Sequence, residues 1–182
     1  MKTIKKTIYI SFLCLSVILS SCSSDDDNNG DGDNGGTGGA EYLTAKVDGS
    51  NWAASTDFET LIGAETATAN GTTNMIIQGS INSGDYIQIV ISNYNGTGTY
   101  ITGDDIQNTN SLSYGELVGT TGIDLWSNGF LTAILGGIGA GEIVVESDAN
   151  GIVTGSFNFI GYNANDESTK NITVGEFKAN IN

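Results

Sequence analysis

Residues 142–159 read EIVVESDANGIVTGSFNF, and this stretch decides the fold class. Ile143 and Val145 alternate with Glu142, Val144 and Glu146, a pattern typical of a strand with one buried face. The turn 148–151 follows, and its Asn-Gly pair accepts the positive φ angles that a tight hairpin requires. Beyond the turn, the apolar side chains that share one face are Val153, Phe157 and Phe159. The stretch therefore predicts an antiparallel hairpin with strands at 142–147 and 152–162.

The same period-two alternation recurs through residues 41–182, which we predict to form a single β domain. The clearest further examples are 43–47, 75–81, 87–91 and 172–181, and other strands are predicted near 59–69, 97–102, 112–118 and 130–135. Gly175 is expected to mark a β-bulge at which the inward face of the last strand switches. These patterns predict an all-β protein, an antiparallel β-sandwich of about ten strands, with a closed β-barrel as the alternative.

The first 21 residues have the three parts of a secretory signal. Lys2, Lys5 and Lys6 precede an apolar run that is too short to span a bilayer, since a spanning helix needs about 20 apolar residues. The run ends in Leu-Ser-Ser and is followed at once by Cys22. This arrangement resembles a bacterial lipoprotein signal, so we expect cleavage before Cys22 and lipidation of its thiol. Several acyl chains on that residue would hold the protein firmly on a membrane.

Residues 22–40 form a predicted flexible tether, because Gly, Asn and Asp dominate and almost no apolar side chain is present. Its start resembles the export tag of surface lipoproteins in Bacteroidota-type bacteria, and the tag residues are Ser23, Ser24, Asp25, Asp26 and Asp27. This resemblance implies a lipid-anchored outer-membrane protein that faces the cell exterior. The alternative interpretation of the acidic cluster is a linker that only aids solubility.

The charge of the chain excludes several functions. The chain has no His and a formal net charge of −15. Without the signal, three lysines remain against 21 acids, a net charge of −18. No basic patch is available to displace counterions, so nucleic acid is excluded as a partner. A Ser-His-Asp triad and a zinc site built on His or Cys are excluded by residue type.

Carboxylates and aromatic rings remain as candidate site residues. Asp104 and Asp105 are adjacent in a predicted loop, where they are interpreted as solvated turn residues or, alternatively, as calcium ligands or a glycosidase acid. Asp148 and Asn150 are interpreted mainly as part of the hairpin turn, with cation binding as the alternative. The rings that a sugar-stacking platform could use are Trp52, Tyr86, Tyr94, Tyr100, Tyr114, Trp126 and Tyr162. Trp52 is expected to seal the core, and Tyr86 is the better platform candidate.

Three stretches together resemble a family of small lipoproteins of Bacteroidota-type bacteria with no assigned function. They are TAKVDGSNWAA at 44–54, GTGTY at 96–100, and the closing strands IVTGSFNF and ITVGEF at 152–159 and 172–177. The resemblance implies an all-β lipoprotein and carries over no catalytic or binding residue.

The sequence thus predicts a surface-displayed lipoprotein that is not an enzyme and acts as a binding or interaction module. No catalytic residue, metal site or cofactor is predicted, and the ligand-binding residues stay unassigned. The expected partners are the membrane, through the lipid on Cys22, and a glycan or a protein at the cell surface. The alternatives are a calcium-assisted glycan-binding protein and, less favoured, a carboxylate-based glycan hydrolase.

Overall fold

The computed structural model describes residues 40–56 and 62–182, and within them the chain is nearly all β. The strands are β1 (Tyr42–Val47), β2 (Ser50–Ala53), β3 (Ile62–Ala69), β4 (Thr72–Ser80), β5 (Tyr86–Ile91), β6 (Gly98–Thr102), β7 (Ser111–Val118), β8 (Gly122–Asn128), β9 (Gly141–Ala149), β10 (Ile152–Tyr162) and β11 (Thr169–Asn180). One short helix, α1 (Phe130–Leu135), lies between β8 and β9. The predicted signal, Cys22 and the acidic cluster lie outside the described residues.

The strands form one antiparallel sheet that is curled into a half-barrel. Its order is β2-β1-β11-β10-β8-β7-β5-β4-β3, and β9 and β6 extend from β10 as a branch. The all-β prediction is confirmed, with eleven strands in the described residues. The half-barrel combines features of the predicted sandwich and its barrel alternative, because one continuous curled sheet surrounds the interior.

The sheet forks at β10, and this fork positions α1. The first part of β10 pairs with β9, from Ile152 opposite Ala149 to Asn158 opposite Glu142. Its last residue, Tyr162, pairs instead with Ser127 of β8. β8 therefore ends along the same edge of β10 on which β9 begins, and α1 lies in the connection between these two strands.

Three hairpins close with two-residue turns of the same chemistry. The turn between β9 and β10, Asn150-Gly151, has φ angles of 56° and 74°. Positive φ at both positions matches the right-handed twist of the flanking strands, and Asn and Gly adopt it at low cost. The turns after β1 and β3 repeat this geometry with Asp48-Gly49 and Asn70-Gly71. These short turns fix the register of their hairpins.

The inward faces of the strands share one hydrophobic core. Ile87, Ile89 and Ile91 are fully buried on β5, as their alternation predicts. Phe157 of β10 and Phe177 of β11 stack on the inward face of these two neighbouring strands, with ring centroids 6.5 Å apart. Every second residue of most strands thus faces the interior, which is the physical basis of the period-two pattern.

The predicted bulge in the last strand is confirmed. The register of β11 shifts against both of its neighbours: Thr173 and Val174 lie opposite the single residue Asn158 of β10, and Val174 and Gly175 lie opposite the single residue Ala45 of β1. Val174 lies within the shift and has a φ of 50°. Because one extra residue is inserted, the buried positions change from even numbers at Ile172 to odd numbers at Phe177.

The strand predicted near 130–135 is wrong, because these residues form α1. Gly129 and Gly136 flank the segment, and the backbone N–H groups of Ala133 and Gly136 donate to the carbonyls of Gly129 and Thr132. The Thr132 hydroxyl also bonds both backbone groups of Gly129. Apolar residues at 130, 131, 134 and 135 have helical spacing, which a six-residue run makes hard to distinguish from a strand.

Candidate functional site

α1 carries an exposed apolar surface. The large side chains of α1 are about half exposed: Phe130 at 54%, Leu131 at 48%, Ile134 at 54% and Leu135 at 53%. We call these four residues the α1 surface. The one polar side chain of the helix, Thr132, is buried and turned away from solvent. This distribution reverses the usual rule for a helix on a water-soluble domain, in which the apolar side faces the core.

A buried network of polar groups fixes the base of α1. The side-chain amide of Asn128, at the end of β8, is fully buried. Its oxygen accepts hydrogen bonds from the Thr102 hydroxyl at 2.6 Å and from the Gly141 N–H at 3.2 Å. Its nitrogen donates to the carbonyls of Gly139 and Ile160 at 2.9 and 3.0 Å. Asn128 therefore ties the strands on both sides of the fork together directly beneath α1.

Thr132 completes this network from the helix. Its hydroxyl accepts a hydrogen bond from the Gly129 N–H at 2.9 Å and donates to the Gly129 carbonyl at 2.8 Å. Gly103 lies against the same groups, and a side chain at that position would collide with Asn128 and Thr132. Satisfied buried polar groups specify one arrangement of the elements they join. The fold thus holds the α1 surface in a defined position.

A second polar cluster links β11 to β8 and β7, which follow β10 in the strand order of the sheet. The Lys170 ammonium on β11 lies 2.8 Å from the Glu116 carboxylate on β7 and 4.6 Å from the centroid of the Trp126 ring on β8. Tyr114 donates to the same carboxylate at 3.0 Å. The Lys170 side chain thus contacts a carboxylate and an aromatic ring on two other strands, and it acts here as a structural tie.

The structure disperses the aromatic candidates instead of forming one platform. Trp52, Tyr114 and Trp126 are buried, and the prediction that Trp52 seals the core is confirmed. Tyr86 covers Gly115 on the neighbouring strand, where the ring fills the space that a side chain would occupy. Burial raises the pKa of the Tyr86 hydroxyl. The Tyr86 ring, which was the preferred platform candidate, therefore packs against the neighbouring strand of the sheet.

Tyr94 and Tyr100 are the two candidate rings that come together. They stack with centroids 5.9 Å apart, and the Tyr94 hydroxyl donates to the Asp148 carboxylate at 2.7 Å. Burial, followed by the hydrogen bond to Asp148, raises the pKa of Tyr94 above its ordinary value of 10.0. Asp148 thus serves the packing of the hairpin in addition to its place before the turn.

The remaining carboxylate candidates stabilise their own loop. Asp104 accepts a hydrogen bond from the Asn108 amide at 2.6 Å, and Asp105 accepts one from the Gln107 N–H at 2.7 Å. These contacts agree with the interpretation of both as turn residues. Within residues 40–56 and 62–182, no cluster of three or more acidic or thiol side chains has an arrangement that could hold a metal ion.

A cavity of about 460 Å³ opens where the start of the described chain meets its C-terminal end. Its lining residues are Ala40, Glu41, Ser55, Thr56, Ile62, Asn180 and Asn182. Thr56 and Ile62 flank the segment 57–61, which lies outside the described residues. In the part of the chain that is described, no helix has the length and hydropathy needed to cross a membrane.

Sequence reasoning did not identify the α1 surface. Four large apolar residues occupy 130–135 between glycines, and this pattern is consistent with an apolar helix. The same residues are equally consistent with a buried strand. The fold and this site together define an all-β domain that presents an apolar helix from the fork of its sheet. The chain belongs to the family described as Domain of unknown function (DUF6252), whose model matches residues 40–179. Comparison with the curated proteins and with the solved structures finds no match.

Proposed function

We propose that this protein is a lipid-anchored binding module of the outer-membrane surface, without catalytic activity, and that the α1 surface is where it binds its partner. One observation carries the proposal: four large apolar side chains are held in solvent by a buried and fully used polar network. Exposed apolar patches on soluble domains mark interaction sites when several such residues adjoin.

The energetics favour a functional role for this exposure. Full burial of one Leu, Ile or Phe side chain is worth about 1.5–3 kcal/mol, so four half-exposed side chains leave several kcal/mol of stabilisation unused. The polar groups beneath them, Asn128 and Thr132, are desolvated and yield only a modest net gain from their hydrogen bonds. Selection for stability alone would favour apolar side chains at the buried positions 128 and 132 and polar side chains at the exposed positions of α1.

The residue composition supports a role without catalysis. The chain has no His, and the described lysine nearest to a carboxylate, Lys170, is held in an ion pair with Glu116. The net charge of −15 supports a neutral or apolar partner over a nucleic acid.

The N-terminal sequence supports the placement on the membrane surface. Cys22 follows a short apolar run, and Ser23, Ser24, Asp25, Asp26 and Asp27 adjoin it. The proposed class is that of small lipoproteins of Bacteroidota-type bacteria, in which the lipid holds the domain at the outer face of the outer membrane. Metabolic labelling with palmitate should mark the natural chain and not Cys22→Ala. Protease added to intact cells should then degrade the domain, and full protection would exclude exposure to the exterior.

The binding role of the α1 surface can be tested separately with a photo-reactive amino acid. Placed at Leu131 in cells, it should give covalent adducts on irradiation. Placed at Val174, which is 64% exposed but lies on β11, it serves as the control. Equal yields at the two positions would contradict the assignment of the interaction surface to α1.

A further inference from the structure

We propose that the partner of the α1 surface is the lipid bilayer itself, so that the domain docks on the membrane that carries its anchor. This proposal rests on the proposed function for the anchor at Cys22. The side chains that enter the interfacial region are Phe130, Leu131, Ile134 and Leu135. Docking of this kind adds a second membrane signal to the covalent lipid, and paired signals give the more stable attachment.

The charge distribution supports a bilayer as the partner. Residues 125–141 include the whole of α1 and carry no charged side chain, although the chain has a net charge of −15. Anionic groups at a membrane surface repel the acidic parts of the domain. The uncharged stretch can therefore approach the headgroups with less repulsion than the acidic parts of the domain.

The residue types on α1 and in the segments that flank it also fit lipid better than protein. Specific protein interfaces carry a polar rim, and their strongest contacts come from Trp, Tyr and Arg. The chain segments that flank α1 are rich in glycine, at Gly129, Gly136, Gly137 and Gly139, and the chain contains no Arg. Lipid contact requires apolar side chains without matching hydrogen-bond donors, and the α1 surface supplies them.

The polar side chains at the base of α1 are already paired within the protein. Thr132 bonds the backbone of Gly129, and Asn128 makes four hydrogen bonds to groups of the fold. An unpaired polar group is costly in an apolar medium. Because neither side chain needs a hydrogen bond from water, the α1 surface can enter the membrane interface without leaving Thr132 or Asn128 unpaired.

The length of chain between Cys22 and the described domain permits this docking. The 18 residues from Ser23 to Ala40 span at most about 60 Å when fully extended. A compact domain of this size is about 40 Å across. The tether is therefore long enough for any face of the domain to reach the bilayer, so the choice of face falls to the surface chemistry.

The test uses the acylated chain, in which the lipid occupies the Cys22 thiol. Leu131→Cys adds a free thiol on the α1 surface, and Ile123→Cys adds one at a matched aliphatic site, 53% exposed, on the hairpin of β7 and β8. Each is labelled with an environment-sensitive dye and reconstituted into phosphatidylcholine vesicles that contain spin-labelled lipid. Circular dichroism verifies the fold, and Ile134→Cys replaces Leu131→Cys if the latter fails to fold.

We expect the spin label to quench the dye at 131 at least about twofold more than the dye at 123, with a blue shift of its emission. Equal quenching would overturn the proposal, and so would photo-adducts from position 131 that contain protein or a second copy of the chain instead of lipid. Mass analysis of Cys22 tests the lipid anchor independently of the docking of the α1 surface on the bilayer. A chain without acyl groups would refute the anchor, while quenching of the dye at 131 after simple addition to vesicles would still support docking.

Discussion

The Thr102 hydroxyl donates a 2.6 Å hydrogen bond to the side-chain oxygen of Asn128, and both residues are fully buried. Thr102 ends β6 on the branch of the sheet, whereas Asn128 ends β8 on the main path. This single contact therefore joins the two sides of the fork from which α1 projects.

Replacement of Asn128 by Asp should destabilise the domain strongly. The carboxylate would keep the contacts with Thr102 and the Gly141 N–H but would face the carbonyls of Gly139 and Ile160 without a proton to donate. We expect the free energy of unfolding in urea to fall by roughly 2–4 kcal/mol, since a buried charge would lack partners. The matched control is Asn95→Asp at an exposed position. A similar small effect at both positions would show that the network is not needed.

The α1 surface should contribute little to folding, in contrast to the residue beneath it. Leu131→Ser should lower the free energy of unfolding by no more than about 1 kcal/mol, because half of the side chain already lies in solvent. Thr132→Val keeps the shape but loses both hydrogen bonds to Gly129, at a cost of about 1–2 kcal/mol. The reverse order in urea melts would mean that the apolar side chains serve stability.

The bulge of β11 predicts a stabilising substitution. Val174 has a φ of 50° and is 64% exposed, a conformation that costs a side chain other than Gly about 1–2 kcal/mol. Val174→Gly should raise the free energy of unfolding by about 0.5–1 kcal/mol after the entropic cost of Gly is subtracted. Thr173→Gly, one residue earlier in the same strand, should lower it by about 1 kcal/mol. If both variants are destabilised, the extra residue in β11 does not strain the backbone.

The tie between Lys170 and Glu116 should appear as a coupling energy. Lys170 contacts Glu116 at 2.8 Å and lies over the Trp126 ring, with its side chain 20% exposed. A double-mutant cycle with Lys170→Met and Glu116→Gln should give a coupling of about 1–2 kcal/mol, larger than that of a fully exposed pair. Lys46→Met, at an exposed position of β1, controls for the loss of charge. A coupling near zero would refute the role of this pair in linking β11 to β7.

Two tyrosines predict a loss of stability at alkaline pH. Burial and a carboxylate partner raise the pKa of both Tyr94 and Tyr114, through Asp148 and Glu116 respectively. In the unfolded chain each hydroxyl ionises near pH 10, whereas in the folded chain it keeps its proton. The free energy of unfolding should therefore be fully retained below about pH 10 and should decrease as the pH rises above that value.

The double variant Tyr94→Phe, Tyr114→Phe should lose most of this slope. Urea melts between pH 8 and pH 12, together with the absorbance of tyrosinate in the folded chain, provide the measurement. Ionisation of both hydroxyls near pH 10 in the folded chain would contradict the predicted shift.

Much of the fold could be predicted because one physical pattern repeats. The isoleucines of β5 and the aromatic residues of β10 face one side at every second position, and the Asn150-Gly151 turn lies where the hairpin needs positive φ. The bulge at Gly175 was also predicted, since the inward residues change parity there. Each of these features depends on neighbours close along the chain.

The candidate site could not be predicted in the same way. Phe130 to Leu135 has the composition of a buried strand, and its exposure depends on where β8 ends and β9 begins along β10. The partners of Asn128 come from residues 102, 139, 141 and 160, which lie in four different segments of the sequence. No local sequence pattern predicts which residues will become the hydrogen-bond partners of Asn128.

The sequence by itself determined that the chain is acidic, that its domain is all β, and where most of its strands and tight turns lie. These properties follow from side-chain charge, alternation and turn preferences, which act over a few residues. The tertiary structure alone decided that β10 exchanges one partner strand for another, that Asn128 is buried at that fork, and that an apolar helix faces outward from it. Exposure results from how distant strands pair, so it is defined only when the whole sheet has formed.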